Sequence, residues 1–424
     1  MTELTVTIGQ LGALGDGMAE TANGRLHIPF TAPGDTARVA PKGKDAATLV
    51  ELVEPGPDRT DPTCRHFGAC GGCALQHLRP DFIAEWKRKR VVSALARAGL
   101  DEVTVNPTIT IPPGTRRRAT MAAARIGRRV LFGFAERASH RLVDLEECPV
   151  LRPELARLIT PIRARLPDLL TARESADIAL TFTETGTDLV LIRKRPLTLA
   201  DRENLAAFAE ALDLASISWR ASVTAPTEPV AARRTPAIRI GKALVAFAPG
   251  GFLQPSADGE AVLTGFVADT LKDIAGPIAD LFSGLGTFAI PASAFGPVSA
   301  YDADRPAIAT LQKAAKGLPV TAHCRDLFRE PLTVRELERF AAAIIDPPRA
   351  GAESQARMLA DSAVPLIAYV SCNPVSFARD AAILTQGGYW LESPTPVDQF
   401  AWSPHVELFG TFRRQPFDSL SSSA

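Results

Sequence analysis

The sequence of 424 residues has no apolar run of the length needed to span a membrane. No basic and then apolar stretch follows Met1, so we expect no secretory signal and a cytoplasmic protein. Neither sign of charge is in excess, with 47 Lys and Arg against 47 Asp and Glu, so mean charge gives no support for a nucleic-acid partner. The six cysteines, without an export signal, argue against a disulfide framework and indicate metal, cluster or catalytic roles.

The patterning of the chain predicts four segments. Residues 1–56 contain short extended pieces separated by Gly and Pro turns, which predict a five-stranded barrel of the oligonucleotide-binding kind, with a generic β module as the alternative. Residues 57–148 carry four cysteines and a helix predicted over 82–98, capped by Asp81. Residues 100–242 mix helices and strands, and we expect an α+β domain there.

Residues 243–424 show the most regular pattern. Apolar strands such as IADLFSG, VSAYDAD, AAAIIDPP and LIAYVSC alternate with helical stretches, which predicts a parallel, doubly wound sheet. The fold class is therefore α/β, with a Rossmann-like C-terminal domain.

Three cysteines, Cys64, Cys70 and Cys73, lie within ten residues among glycines, and Cys148 lies far downstream before Pro149. Four thiolates suit either a [4Fe–4S] cluster or a structural zinc ion, and the spacing barely separates the two. The asymmetric arrangement, three ligands and one remote Cys-Pro, favours the cluster.

A glycine-containing turn follows the strand IADLFSG, with Gly284 and Gly286 placed for a close approach to a nucleotide-like ligand. Asp302 ends the next strand, where an acid can bind ribose hydroxyls, and Asp326 follows a third strand. NAD-binding proteins share the first two features. The element Asp346-Pro-Pro favours a methyltransferase over an NAD-binding protein, because it resembles motif IV of class I methyltransferases.

Cys372 ends an apolar strand and precedes Asn373-Pro374, where a helix is predicted to begin. Such a thiol faces the ligand crevice of an α/β sheet, and the helix N-terminus is expected to lower its pKa. A plain buried cysteine is the alternative. Glu407 lies in the apolar strand His405 to Phe409, so its pKa should be raised and suited to a base; a surface carboxylate on an edge strand is the alternative.

These motifs occur in one order: the barrel-like segment, C-x5-C-x2-C, GGFLQ, DLFSGLGTF, DPPR, SCNP and HVELFG. The combination resembles the RNA (uracil-5-)-methyltransferase family, particularly members that methylate 23S ribosomal RNA. The resemblance covers nearly the whole chain and is weakest from about 150 to 240. It implies a TRAM domain at the N-terminus, RNA as partner and a product containing 5-methyluridine, and we expect a monomer.

The resemblance also implies roles for individual residues. A [4Fe–4S] cluster would be held by Cys64, Cys70, Cys73 and Cys148. The S-adenosylmethionine site would be lined by Gln254, Phe282, Thr287, Asp302, Asp326 and Asp346. Cys372 would add to C6 of uracil, and Glu407 would remove the C5 proton after methyl transfer. The chain departs from the family at Pro255-Ser256, Ser283 and Thr287, where Asn, Cys and Asn are usual.

Three functions are therefore compared. The first is methylation of a uridine in 23S ribosomal RNA, and the second is the same reaction on transfer RNA. The third is a cluster-bearing RNA-binding module without activity. In the first two, basic residues at 87–90, 116–118 and 125–129 would hold the RNA backbone.

Overall fold

The computed structural model describes residues 3–414 of the chain. Its N-terminal sheet has the order β1-β5-β6-β4-β3-β2. The strands are β1 (Leu4–Thr7), β2 (Gln10–Leu11), β3 (Gly17–Thr21), β4 (Gly24–Ile28), β5 (Thr36–Lys42) and β6 (Ala46–Glu54). The predicted count of five is wrong, because the first extended segment is divided at Ile8 and Gly9. Its two halves form opposite edges of the sheet.

Helix α1 (Pro80–Arg97) follows the cysteine loop. The predicted N-cap at Asp81 is wrong: the helix begins two residues earlier, with Pro80 in its first turn, where a fixed φ favours helix initiation. The helix ends at Arg97, one residue before the predicted end, and Gly99 follows with a φ of 79°. Val91 and Leu95 of α1 enter the core of the C-terminal sheet, while other residues of the helix pack on the cysteine loop.

The central domain is built on one seven-stranded sheet of order β10-β9-β8-β11-β12-β13-β14. It is preceded by the short strand β7 (Ile109–Thr110), which belongs to the C-terminal sheet. The central strands are β8 (Arg118–Ile126), β9 (Arg129–Ala135), β10 (Leu142–Asp144), β11 (Ser175–Thr183), β12 (Gly186–Ile192), β13 (Ser216–Arg220) and β14 (Glu228–Ala232). The helices are α2 (Pro153–Ala156), α3 (Ile159–Leu169) and α4 (Leu199–Ala211).

The C-terminal domain opens with a hairpin of β15 (Ala237–Ile240) and β16 (Ala243–Ala246), whose apolar residues join its core. The boundary predicted between 242 and 243 falls inside this hairpin. The helices that follow are α5 (Ala257–Leu271), α6 (Ala289–Ala292), α7 (Arg305–Ala314), α8 (Val334–Leu337), α9 (Glu353–Ala360) and α10 (Pro374–Gln386). The strands are β17 (Ile278–Leu281), β18 (Val298–Asp302), β19 (Val320–Cys324), β20 (Ala342–Ile345), β21 (Leu366–Ser371), β22 (Tyr389–Leu391), β23 (Thr395–Asp398) and β24 (Glu407–Arg414).

The C-terminal sheet has the order β19-β18-β17-β20-β21-β24-β23-β7, with β22 also paired to β24. Strands β17 to β21 are parallel, as predicted, but β24 is antiparallel to β21, so the expectation of a wholly parallel sheet is wrong. The reversal brings the start of β24 to the end of β21. Because Ser371 pairs with Leu408, the same register places Cys372 opposite Glu407.

Strand β17 lies between β18 and β20, so the chain order reverses at its carboxyl end. In open α/β sheets the ligand crevice forms at such a reversal.

Among residues 3–414, no helix combines the length and the apolar character required to cross a membrane.

Candidate active site

The turn after β17 has the backbone of a ligand-binding loop. Phe282, Gly284 and Gly286 all have positive φ values, of 65°, 52° and 87°. A Cβ at Gly286 would lie 2.4 Å from Leu311 of α7, so the glycine permits close packing of the turn on that helix. A Cβ at Gly284 would have no atom within 4 Å, so this part of the turn borders open space.

Acidic and aromatic side chains surround this turn at the ends of neighbouring strands. Asp302, the last residue of β18, accepts the N–H of Gly284 at 2.9 Å. Asp326 follows β19 and accepts the N–H of Phe328 at 3.0 Å, and the Phe328 ring lies 5.4 Å from that of Phe282. Thr287 lies partly buried between the turn and α6. The structure therefore brings the predicted cofactor residues of the first three strands to one edge of the sheet.

Cys372 directly follows β21 and is partly buried. Burial is the largest cause that raises its pKa to about 11, and the negative charges of Glu407 and Asp346 raise it further. The expected lowering of this pKa by the N-terminus of α10 is therefore outweighed. The thiol is protonated near neutral pH and must lose its proton as it reacts.

Glu407 is the first residue of β24 and is buried. Burial and the nearby Asp346 raise its pKa to about 8, while a hydrogen bond from Gln399 lowers it. β24 pairs with strands on both sides, so the alternative of a surface carboxylate on an edge strand is wrong. A carboxyl group with a pKa near the working pH is suited to accept a proton.

A chain of buried amides connects the acids of the site. Gln254 donates through Nε2 to Oδ2 of Asp346 at 3.3 Å. Nε2 of Gln399 donates both to Oε1 of Gln254 at 3.0 Å and to Oε2 of Glu407 at 3.1 Å. Burial raises the pKa of Asp346 to about 7. Four of the residues predicted from separate motifs, Gln254, Asp346, Cys372 and Glu407, are thus neighbours, whereas no motif in the sequence points to Gln399.

The basic run at 116–118 supports this site from the central domain. Arg117 donates from Nε to the carbonyl of Gln254 at 2.9 Å and from its guanidinium to Glu260 at 2.6 Å. Arg118 donates to the carbonyl of Leu253 at 3.0 Å. These two guanidinium groups hold the Gln254 loop, a role that the sequence does not predict, and their contact with RNA stays a prediction.

Three other basic residues of the predicted runs also have partners within the protein. Lys87 is fully buried, with its Nζ 2.5 Å from Oδ1 of Asp398, and Arg90 donates to the carbonyl of Pro404. Arg125 donates to two carbonyls at the end of α3 at 2.6 Å. Lys89, by contrast, has an exposed side chain and forms only a loose pair with Glu85.

The four predicted cluster ligands, Cys64, Cys70, Cys73 and Cys148, line one cavity of about 860 Å³. The cavity lies between the cysteine loop, the central sheet and the segment 400–405. Burial raises the pKa of Cys73 to about 12, a hydrogen bond with Gln76 lowers it, and the other three thiols raise it further. The remote Cys148 is therefore close to the three sequential cysteines, as the sequence predicts.

The two histidines near this cavity have other partners. His66 accepts the N–H of Glu146 at 3.0 Å, and Nε2 of His77 lies 3.2 Å from the carbonyl of Thr31. Within residues 3–414, no three His, Cys, Asp or Glu side chains are close enough together to hold a single metal ion.

Comparisons with known proteins agree with this geometry. Residues 237–414 match the family model described as tRNA (Uracil-5-)-methyltransferase. An RNA methyltransferase of Brucella suis is 42% identical over 95% of this chain and 96% of its own length. The 23S rRNA (uracil(1939)-C(5))-methyltransferase RlmD of Halomonas elongata is 33% identical over 93% of this chain and 86% of its own.

A solved structure adds the fold. The Pyrococcus abyssi tRNA (uracil-54, C5)-methyltransferase, in complex with S-adenosyl-L-homocysteine, superposes with a TM-score of 0.73 at 25% identity. The match covers 96% of this chain and all of that one. The C-terminal sheet accordingly has the class I methyltransferase fold. With relatives of this identity along nearly its whole length, the chain belongs to the RNA uracil-5-methyltransferase family and is an RNA methyltransferase.

Proposed function

We propose that the chain methylates C5 of a uridine in 23S ribosomal RNA, with S-adenosylmethionine as methyl donor. The observation that carries the chemistry is the proximity of Cys372, directly after β21, to Glu407, the first residue of β24, and to Asp346. The ribosomal target is favoured by the relative RlmD, which is 33% identical, against 25% for the tRNA enzyme from Pyrococcus abyssi. Methylation of transfer RNA remains the second candidate, because that tRNA enzyme matches the chain end to end.

The first step overcomes the low nucleophilicity of C5 in uracil. The sulfur of Cys372 forms a bond to C6, and the electrons of the C5–C6 double bond move towards the C4 carbonyl as an enolate. C5 is then nucleophilic and can form a bond to the methyl carbon, while the bond from that carbon to the sulfonium sulfur breaks and leaves its electron pair on the donor's sulfur. Because the pKa of the thiol is about 11, the Cys372 proton must leave as the C–S bond forms, and the neighbouring carboxylate of Asp346, whose pKa is about 7, accepts it.

The last step frees the enzyme. C5 now carries both its original hydrogen and the methyl group. Glu407 removes the hydrogen as a proton, the C5–C6 double bond forms again, and the C6–S bond breaks with its electron pair on sulfur. A carboxylate with a pKa of about 8 is basic enough for this step and still partly ionised near neutral pH.

The carboxyl edge of β17 to β20 fits S-adenosylmethionine, which supplies an electrophilic methyl group on a sulfonium ion. The open space at Gly284 admits a ligand close to the backbone, and Phe282 with Phe328 offers aromatic surface for a base. Asp302 can accept the ribose hydroxyls, and Asp326 and Thr287 complete the proposed contacts. Asp346 and Gln254 lie between this edge and Cys372.

We assign the four-cysteine cavity to a [4Fe–4S] cluster rather than zinc, because three sequential cysteines and one remote Cys-Pro favour a cluster. The four thiols share one cavity. A cluster is larger than an ion, and each cysteine binds a different iron, so its ligands lie further apart. We expect about four iron and four sulfide per chain after anaerobic purification, and stoichiometric zinc would contradict the assignment.

The N-terminal sheet is the proposed RNA-binding TRAM domain. Its first and last strands in space, β1 and β2, are consecutive in sequence. The N–H groups of Ile8 and Gly9 between them bond to the carbonyls of Asp35 and Met18 at 2.9 Å, so this short segment connects both edges of the sheet. Deleting residues 1–56 should weaken RNA binding more than methyl-donor binding.

The substrate is tested by incubating the enzyme with in-vitro transcribed 23S ribosomal RNA and, separately, with unmodified transfer RNA. Nuclease digestion and mass spectrometry then locate any added methyl group. Methylation of the ribosomal transcript at one uridine supports the proposal. Methylation of transfer RNA alone would assign the second candidate.

A further inference from the structure

Gln399 is a buried amide that contacts both halves of the catalytic crevice. It directly follows β23, and its side chain donates to Glu407 and to Gln254 from the same nitrogen. We propose that Gln399 is a positioning residue, which fixes the oxygen of Glu407 that carries the proton and the face that Gln254 presents to the base. The proposal rests on the function proposed above.

The first effect concerns Glu407. One N–H of Gln399 points at Oε2 of the carboxyl group, so this oxygen is an acceptor and the proton is held at Oε1. The hydrogen bond stabilises the ionised form, and it is the one contribution that lowers the pKa of Glu407 against burial and Asp346. Without it, the carboxyl group would be more fully protonated at neutral pH and slower to accept the C5 proton.

The second effect concerns Gln254. Its Oε1 accepts from Gln399, so its NH₂ end is turned towards Asp346, on the side of Cys372. An amide fixed in this way offers a donor to an incoming pyrimidine. Uracil has a carbonyl oxygen at C4, which accepts, whereas cytosine has an amino group there, which does not. The Gln399 contact therefore favours uracil over cytosine.

The oxygen of the Gln399 amide is buried and accepts no hydrogen bond from the described residues, so its nitrogen makes the polar contacts of this side chain. Its Oε1 lies against Gly259 in the first turn of α5, where the N-terminus of a helix carries partial positive charge. A Cβ at Gly259 would lie 2.4 Å from Oε1 and 2.9 Å from Cβ of Gln399. The absence of a side chain at position 259 is thus needed for the amide to occupy its place.

The test uses Gln399→Met, which keeps the volume and removes the donor. The rate at which the covalent RNA adduct is resolved is measured from pH 6 to 10 with the 23S transcript. We expect resolution about 10- to 100-fold slower at pH 7, because a hydrogen bond to a charged group is lost. The rate should recover as pH rises. The midpoint of the pH–rate profile follows the pKa of Glu407, and this pKa should be higher in the variant. Glu407→Gln should not recover at any pH.

Two further variants separate positioning from general damage. Gly259→Ala displaces the amide without changing its chemistry and should also raise the midpoint. Thr395→Val removes a buried hydroxyl of β23, the strand before Gln399. This hydroxyl accepts a hydrogen bond from Asn106, and its loss should leave the midpoint unchanged. A transcript with cytosine at the target position should form more adduct with Gln399→Met than with the wild type.

The outcomes distinguish the two proposals. If Cys372→Ala still methylates, the proposed function fails. If that variant is inactive and Glu407→Gln accumulates adduct, while Gln399→Met keeps the wild-type midpoint and rejects cytosine as before, only the role of Gln399 is overturned.

Discussion

Two thiol sites in this molecule have similar acidities and different neighbours. Cys372 in the catalytic crevice and Cys73 in the four-cysteine cavity both have pKa values raised chiefly by burial, to about 11 and about 12. The next contribution at Cys372 comes from Glu407, while at Cys73 further raising comes from the other three cysteines. Acidity alone therefore does not separate the proposed nucleophile from the proposed cluster ligand. The chemistry of the surrounding groups does.

The largest loss of methylation is expected on substitution of Cys372, the proposed nucleophile. Cys372→Ala should lower methylation by at least about 10⁴-fold, because no other group can form the bond to C6. Incorporation of labelled methyl into the 23S transcript measures the loss, and binding of the methyl donor should persist. Substantial methylation by this variant would remove the distinction drawn between the two sites.

The next largest effect on turnover is expected at Glu407, the proposed base. Glu407→Gln should reduce turnover by about 10²- to 10⁴-fold and accumulate an enzyme–RNA adduct, because the C5 proton is no longer removed. A band that survives a denaturing gel reports the adduct. Glu392→Gln, a change at a more exposed carboxylate paired with Arg413, is the matched control and should give no such band.

The cysteine cavity should respond differently. Cys73→Ser is expected to lose iron and about 4 kcal/mol or more of stability, because a ligand of the proposed cluster is removed. Iron analysis and denaturant unfolding measure the two effects. If the sites are distinct in role, the folded fraction of this variant still forms the adduct through Cys372. An unchanged iron content would show that Cys73 is not a ligand.

Much of the site could be predicted from sequence because its parts are local motifs. Asp302 ends an apolar strand, Asp346 and Cys372 each directly follow one, and parallel strands bring their carboxyl ends to one edge. Cys148 could be grouped with the cysteine loop through chemistry alone, since a fourth thiolate was needed. These predictions require only the positions at which strands end and the number of thiolates that a metal site takes.

Other features depend on contacts between distant residues. The antiparallel direction of β24 depends on pairing with β21, which no local pattern of Glu407–Arg414 encodes. Lys87 resembles any exposed basic residue until Asp398, more than 300 positions away, is placed beside it. Gln399 likewise gains its meaning from Gln254 and Glu407. A charge run or a lone amide in a sequence does not reveal its partner.

The acidity of Glu407 predicts a smaller, pH-dependent effect. Its folded pKa of about 8 exceeds the ordinary 4.5, so the protonated form is favoured in the folded state. Stability from this group is therefore full below about pH 4.5 and is lost as pH rises through 8. Glu407→Gln should be more stable than the wild type at pH 9 and should gain little at pH 5.

Thermal unfolding of both proteins at the two pH values measures this difference. Adduct resolution by the wild type should rise about tenfold per pH unit below 8 and level off above it, because only the ionised carboxylate accepts the proton. A flat profile between pH 6 and 9 would contradict the assignment of Glu407 as the base.

The smallest effect is expected at Cys324, whose exposed thiol lies on β19 opposite Asp302 of β18 and has no proposed role in catalysis or cluster binding. This thiol is exposed at the end of β19 and makes only a weak contact with the carbonyl of Ala303 at 3.7 Å. Cys324→Ser should change stability by no more than about 0.5 kcal/mol and leave methylation and iron content unchanged. Parallel assays with Cys372→Ala and Cys73→Ser make the comparison direct. A marked loss in either assay would contradict the minor role expected for Cys324.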